Sequence, residues 1–360
     1  MRKTTQKRVF CTILVMLLLI QTASFVSAAD NVPLPSETVE ATLPAETAPE
    51  TEAPTEPLPE EPEVPVITFN VAGSSDAIYQ ICDNLAQNME ARHLFVFDTN
   101  TNTLLYSKTV GNGKLYPASI TKLFSTYVAL QHLDPNTIVT AGSELDLVHE
   151  GSSLAWIGKG SQLRVKTLVE GMMLPSGNDA AIILAAAAGR AIGQDEALDA
   201  EDAVNLFVDE MNRQAELLGF ELSHFSNPDG WHTGSHYTSI NDLVRISLLA
   251  LENDTISRYM RLAKDETTFV SGHTVIWENT NLLLHPGEGF YRSDAIGMKT
   301  GYTRPAGYSL MSAFTFEEGE IIIGQFGYVN KNNRFTDAIA LVKAVKEQLR
   351  LEMVSDESVG

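Results

Sequence analysis

Three short clusters of hydroxyl, amine and amide side chains carry the chemical potential of this sequence: Ser119-Ile120-Thr121-Lys122, Ser176-Gly177-Asn178 and Lys299-Thr300-Gly301. In the first, Ser119 and Lys122 are three residues apart. On a helix they share a face, and the amine comes within hydrogen-bonding distance of the hydroxyl. A serine hydroxyl is a weak nucleophile until a base takes its proton, and a buried lysine near other cations sheds its charge readily enough to be that base. Taken alone, the same four residues also fit a helix-capping serine beside a surface lysine. In the second cluster, a further hydroxyl on Ser176 can relay a proton to a leaving amine. The Asn178 amide can hold a substrate backbone or orient Lys122; the competing reading is an ordinary N-cap turn. The third cluster reads as part of a strand. A strand edge pairs with an extended peptide, Gly301 permits close backbone approach, and Lys299 and Thr300 can meet a carboxylate there. The competing reading is a strand-end turn.

The surrounding elements have to bring these clusters together. Strand-like runs at 94–99 and 103–107 are joined by Asp98-Thr99-Asn100-Thr101-Asn102, a hairpin pattern. A helix is predicted over 77–89, and Pro117 sets the approach to another over 119–132. The middle of the chain is rich in helix, over 165–174, 178–191, 202–218 and 241–251. The end returns to strands at 295–302, 308–315 and 321–328, followed by an amphipathic helix over 334–351. Strands at both ends with helices between them predict an α+β fold. One antiparallel sheet, completed by distant segments and flanked by helices, stands against an all-helical lobe, with a cleft between them. The clusters then fall at a helix start, a loop and a strand.

Outside the folded part, Arg2, Lys3, Lys7 and Arg8 precede an apolar run over 9–20 and Val26-Ser27-Ala28, the order of a secretory signal peptide over 1–28. The alternative is an uncleaved membrane anchor. Residues 29–66 hold ten acidic residues, nine prolines and no Lys or Arg, which reads as a disordered Pro/Glu/Thr linker. Residues 67–351 form the catalytic domain, and 352–360 an acidic tail. Of the net charge of −21, residues 67–360 carry −15, which leaves no electrostatic footprint for nucleic acid. Cys11 leaves with the signal, so Cys82 has no disulfide partner and reads as a small core residue.

The three clusters follow one another in the order Ser-x-x-Lys, Ser-x-Asn, Lys-Thr-Gly, the set found in penicillin-binding proteins and class A β-lactamases. The sequence resembles the serine-type D-alanyl-D-alanine carboxypeptidases, the low-molecular-mass penicillin-binding proteins, over about residues 70–350. Tyr116-Pro117-Ala118-Ser119 resembles that family's nucleophile segment, and Leu174-Pro175-Ser176-Gly177-Asn178-Asp179-Ala180-Ala181 its second motif. Phe225-Ser226-Asn227-Pro228-Asp229-Gly230, Asn279-Thr280-Asn281 and Gly297-Met298-Lys299-Thr300-Gly301-Tyr302-Thr303 extend the likeness. The resemblance implies a DD-peptidase/β-lactamase-like fold. It implies Ser119 as nucleophile, Lys122 as its base, and Ser176 and Lys299 as proton-transfer partners to the departing D-alanine. The amides of Ser119 and Tyr302 would form the oxyanion hole, with Thr300 receiving the substrate carboxylate. Arg334 stands where such enzymes can carry a second carboxylate ligand; the alternative is a surface charge at a helix start. The partners implied are a peptidoglycan stem peptide ending in D-Ala-D-Ala and β-lactam antibiotics as covalent inhibitors. No cofactor and no metal are implied.

Two rivals share the motifs: a class A-like β-lactamase and a catalytically silent penicillin-binding sensor. The first needs a glutamate to activate water. Glu201 has suitable spacing, but its surroundings read as the first turn of a helix. His232 and His236 lack an acidic partner at zinc-site spacing, so a metal centre is set aside. Trp156 and Trp231 read as packing residues, with a place lining the cleft as the alternative for either. The family's small second β domain and C-terminal amphipathic anchor are not expected here, because 352–360 is short and acidic.

Overall fold

The computed structural model describes residues 66–357. The expected signal peptide and linker lie outside them, apart from Val66, as do the last three residues. In chain order the elements are β1 (Asn70–Val71), α1 (Ala77–Ala86), β2 (His93–Asp98), β3 (Thr103–Lys108), α2 (Thr121–His132), β4 (Ile138–Thr140), β5 (Gln162–Arg164) and α3 (Val165–Met173). Then follow α4 (Asn178–Gly193), α5 (Ala200–Leu217), α6 (Ile240–Glu252), α7 (Asp254–Met260), β6 (Lys264–Thr268) and β7 (Thr274–Glu278). The chain closes with β8 (Ala295–Thr303), β9 (Gly307–Phe316), β10 (Gly319–Tyr328) and α8 (Asn333–Glu357). Among the described residues, no helix is long and apolar enough to cross a membrane.

Six strands form one sheet in the order β1-β3-β2-β10-β9-β8, antiparallel except for the two-residue parallel pairing of β1 with β3. The early hairpin and the late strands therefore complete one another, with Val96 opposite Ile323 across the β2–β10 seam. Both faces are buried, and period-2 alternation assigns the side chains. Leu94, Val96, Ile321 and Ile323 face α1 and α8 in a core that includes Phe335, Leu341 and Val345. Phe95, Phe97 and Ile322 face the other way, into the core shared with α2 to α7. Cys82 on α1 is fully buried in the first of these cores, and burial pushes its thiol up to about 12, so it behaves as an apolar residue.

Three features differ from expectation. The helix predicted from Ser119 begins as a 3₁₀ turn, Ala118–Ile120, and α2 proper starts at Thr121. Ala118 sits at φ +50°, a left-handed geometry unusual for a residue with a side chain, and this kink presents the next residue. At the other end, residues 352–357 of the expected acidic tail continue α8, where Gln348 Nε2 donates to Glu352 Oε1 at 2.8 Å one helical turn away. The short pairs β4–β5 and β6–β7, and the two-turn α7, are too brief to register as periodic patterns.

Glu170 on α3 is 2% exposed, and burial, reinforced by the Asp265 carboxylate, pushes its pKa from 4.5 up to about 7. The folded chain thus holds this proton more tightly than the unfolded chain. The stabilisation is complete below pH 4.5 and is lost as pH rises through about 7. Glu170→Gln keeps the neutral form at every pH. It is expected to stabilise the protein at pH 8 by on the order of 3 kcal/mol and to leave it nearly unchanged at pH 4. Thermal melts at the two pH values check this, and parallel pH profiles for the two proteins would refute it.

Candidate active site

The kinked turn before α2 brings Ser119 to the floor of a cleft of about 530 Å³, lined also by Ser152, Ser176, Asn178, Thr300 and Arg334. Ser119 is half-buried, while Lys122, one turn further on, is completely buried. Lys122 Nζ lies 3.1 Å from Ser119 Oγ, 2.7 Å from Asn178 Oδ1 and 2.7 Å from the Asp229 carbonyl oxygen. Burial lowers its pKa to about 8, against the opposing pull of the Asp229 and Asp179 carboxylates. A neutral amine has two N–H bonds and one lone pair. The two carbonyl acceptors take the N–H bonds, and the lone pair is left for the Ser119 hydroxyl.

Each partner of Lys122 has its own support. Asn178 opens α4, and its Nδ2 donates to Ser152 Oγ at 3.0 Å, which fixes which amide atom faces the lysine. The Asp229 carbonyl is delivered by a turn in which Gly230 N and Asn227 Nδ2 bond to Asn227 Oδ1 and Trp231 O respectively, both at 2.8 Å. Gly230 sits at φ +84°, and a Cβ there would lie 1.9 Å from the Ala118 carbonyl oxygen, so only glycine lets this turn press against the nucleophile segment. Behind Thr121, His236 is buried. Ser226 N donates to its Nδ1 at 3.1 Å, so the ring proton is on Nε2 and is donated to Thr121 Oγ1 at 2.8 Å.

The second lysine approaches from β8. Lys299 Nζ is buried and donates to Ser176 Oγ at 2.8 Å and to the Thr300 carbonyl at 3.1 Å. Burial, with the nearby Lys122 and Arg334, holds its pKa well below that of a free lysine. Because Ser176 accepts from Lys299, its own hydroxyl proton is free to point into the cleft. Ser176 has φ +63°, a second strained non-glycine residue at the site. The acidic neighbour Asp179 secures the opposite wall: its carboxylate accepts from Ala155 N at 2.8 Å and Ile157 N at 3.0 Å.

β8 is an edge strand whose cleft end passes the nucleophile turn. A Cβ on Gly301 would meet the Pro117 carbonyl at 3.0 Å and the Ala118 methyl at 3.2 Å, so its absence sets how closely strand and turn approach. Thr300 shares a hydrogen bond between hydroxyls with Thr280. Tyr302 is exposed and stacks on Tyr308 at 4.3 Å. Arg334 is not a surface charge: it is 8% exposed at the start of α8, with Nη1 donating to the carbonyls of Ser309 at 2.7 Å and Gly301 at 3.3 Å. Burial lowers its pKa to about 10, which leaves it cationic at neutral pH beside the cleft.

The family model described as D-alanyl-D-alanine carboxypeptidase (peptidase S11) matches residues 81–327. The chain belongs to this family. Its curated relatives include the D-alanyl-D-alanine carboxypeptidase DacF of Bacillus subtilis, 28% identical over 62% of this chain and 54% of that protein. A D-alanyl-D-alanine carboxypeptidase of Streptomyces is 32% identical over 64% of this chain and 78% of that protein. The chain thus spans about half the length of the Bacillus relative and most of the Streptomyces one. Among solved structures, the Streptomyces K15 DD-transpeptidase superposes with a TM-score of 0.64 at 28% identity, covering 72% of this chain and 97% of that one. The carboxypeptidase DacD of Francisella tularensis gives 0.58 at 25% identity, covering 71% and 70%.

All nine residues singled out in the sequence, from Ser119 to Arg334, meet at or directly behind this family cleft. Sequence reasoning missed Ser152, the Asp229 carbonyl and the Asp179 clamp. Ser152 lies in an irregular stretch with no periodic signal, and a backbone carbonyl leaves no mark in residue type. Trp231 lines the cleft, the alternative open to either tryptophan, and stacks on His149 at 4.7 Å, whereas Trp156 is 77% exposed and neither packs in the interior nor lines this cleft. Glu201 lies exposed in the first turn of α5, where Asp199 caps its amide, and does not line the cleft.

Proposed function

We propose that the chain is a serine D-Ala-D-Ala carboxypeptidase that removes the terminal D-alanine from peptidoglycan stem pentapeptides through an acyl-enzyme at Ser119. The observation that carries this reading is the coordination of Lys122: two carbonyl acceptors and the Ser119 hydroxyl around an amine whose pKa burial has brought to about 8. Lys122 takes the Ser119 proton as Oγ attacks the carbonyl between the two D-alanines. The amides of Ser119 and Tyr302 receive the developing oxyanion. The C–N bond then breaks, and Ser176, polarised by Lys299, gives its proton to the departing amine. The proton that Lys122 took from Ser119 restores it, relayed by Lys299, whose Nζ lies 2.8 Å from Ser176 Oγ, and Lys122 is neutral again for the attack of water. Thr300 on β8 and Arg334 at the start of α8, both of which line the cleft, hold the substrate carboxylate. Water hydrolyses the ester and returns the enzyme. The basic and apolar pattern at the N-terminus supports action outside the cytoplasm, where this substrate lies.

β-Lactams, which present an acylating carbonyl next to a carboxylate, would label the same serine. Asp229 is the only carboxylate lining the cleft among the described residues, and its Oδ1 accepts from Trp231 N at 2.9 Å. No free glutamate is in place to activate water against the penicilloyl ester, which favours a long-lived adduct. Incubation with a pentapeptide ending in D-Ala-D-Ala should release one D-alanine per peptide. Intact-mass analysis with a penicillin should show a stable adduct on the peptide containing Ser119. Adduct without D-alanine release would point to a silent penicillin-binding module, and rapid multiple turnover of penicillin to a β-lactamase.

A further inference from the structure

The roles proposed above, on which the following rests, order a substrate along β8. The terminal carboxylate is at Thr300 and the reacting carbonyl at the Tyr302 amide, so the preceding part of the peptide runs past Thr303 towards Arg304. An extended chain advances about 3.3 Å per residue, which sets Arg304 alongside the residue that precedes the D-alanine pair. Arg304 lines the cleft, is exposed, and has no ion-pair partner among the described residues. Its mount is rigid: Pro305 follows it, and Ala306 N donates to Thr303 Oγ1 at 3.2 Å to close the turn into β9.

The charges around the cleft point the same way. Arg304 and Arg334 line it, while the single lining carboxylate, Asp229, is 2% exposed and bonded to Trp231 N. The chain as a whole carries −21. A cationic cleft in an acidic protein draws anionic groups to one place and repels them elsewhere. The scissile D-Ala-D-Ala end supplies one carboxylate, for Thr300 and Arg334, which leaves Arg304 unmatched.

We propose that Arg304 selects peptides bearing a free carboxylate on the side chain of the residue preceding D-Ala-D-Ala. The test uses three N-acetylated tripeptides, X-D-Ala-D-Ala with X as L-glutamate, L-glutamine or L-lysine, and measures D-alanine release. In the wild type, kcat/KM should fall from glutamate to glutamine to lysine by about fivefold to tenfold at each step, and the spread should shrink at high salt. Arg304→Gln should bring glutamate and glutamine within about twofold, and Arg304→Glu should reverse the order. Each variant is compared with itself across the peptides, so a loss of folded protein cancels. Equal rates or a preference for lysine in the wild type would overturn the assignment, as would an order unchanged in Arg304→Glu, and the carboxypeptidase reading would survive either result. No release from any peptide would overturn both.

Discussion

Ser119→Ala is expected to abolish both D-alanine release and covalent capture of penicillin, with a fall in acylation of at least about 10⁴-fold. The reason is local. Ser119 is the half-buried hydroxyl at the cleft floor that lies 3.1 Å from the buried amine, and the turn carrying it is held by contacts that the substitution leaves alone. Alanine fits the backbone of the 3₁₀ turn, Lys122 keeps its bonds to Asn178 and Asp229, and the cleft keeps its lining. Non-covalent binding of the peptide should therefore persist, giving a variant that binds but does not turn over. Calorimetric titration with a pentapeptide, alongside intact-mass analysis with penicillin, separates the two. Penicillin still bound covalently to Ser119→Ala would move the nucleophile elsewhere, and Ser176 would be the next hydroxyl to examine.

The catalytic serine and its base were legible because their relation is local: the helix repeat places i and i+3 together, and the structure has them in contact. The sheet was legible for a similar reason, since the continuous apolar runs Leu94-Phe95-Val96-Phe97 and Ile321-Ile322-Ile323 mark strands buried on both faces. The contact between Lys299 and Ser176 spans 123 residues, and no local pattern encodes it; only the resemblance to a family joined them in advance. Harder still were groups whose contribution is geometry rather than residue chemistry. The Asp229 carbonyl depends on Gly230 having no side chain, and the left-handed Ala118 and Ser176 are strained positions that propensity argues against. Arg334 was ambiguous because a charge at a helix start is normally solvated. Its burial comes from β8 and β9, whose carbonyls it bonds, and these strands meet α8 only in the folded protein.

Two buried lysines in one site raise the question of which is uncharged, and the pH dependence of acylation answers it. Burial depresses both, repulsion from Lys122 and Arg334 adds to it at Lys299, and Lys122 falls to about 8. Only its neutral form can accept the Ser119 proton. At pH 7 about one tenth of the enzyme is competent, and acylation should rise close to tenfold per pH unit below 8 and level off above it. Lys122→Met removes the lone pair while filling much of the same space. It leaves Asn178 Oδ1 and the Asp229 carbonyl without their donor, a cost of about 1–3 kcal/mol for each, but also removes the penalty of desolvating an amine, so the protein should stay folded. Acylation by penicillin should fall by about 10³-fold, within the range for loss of a general base, and what remains should lose the rise towards pH 8. Lys122→Arg should fare no better, because a guanidinium stays protonated throughout this range. Stopped-flow acylation from pH 6 to 9, with melting temperatures as the control for folding, provides the measurement. A flat wild-type profile, or a Lys122→Met enzyme within tenfold of the wild type, would shift the base to Lys299 acting through Ser176, the only other buried amine in contact with a cleft hydroxyl among the described residues.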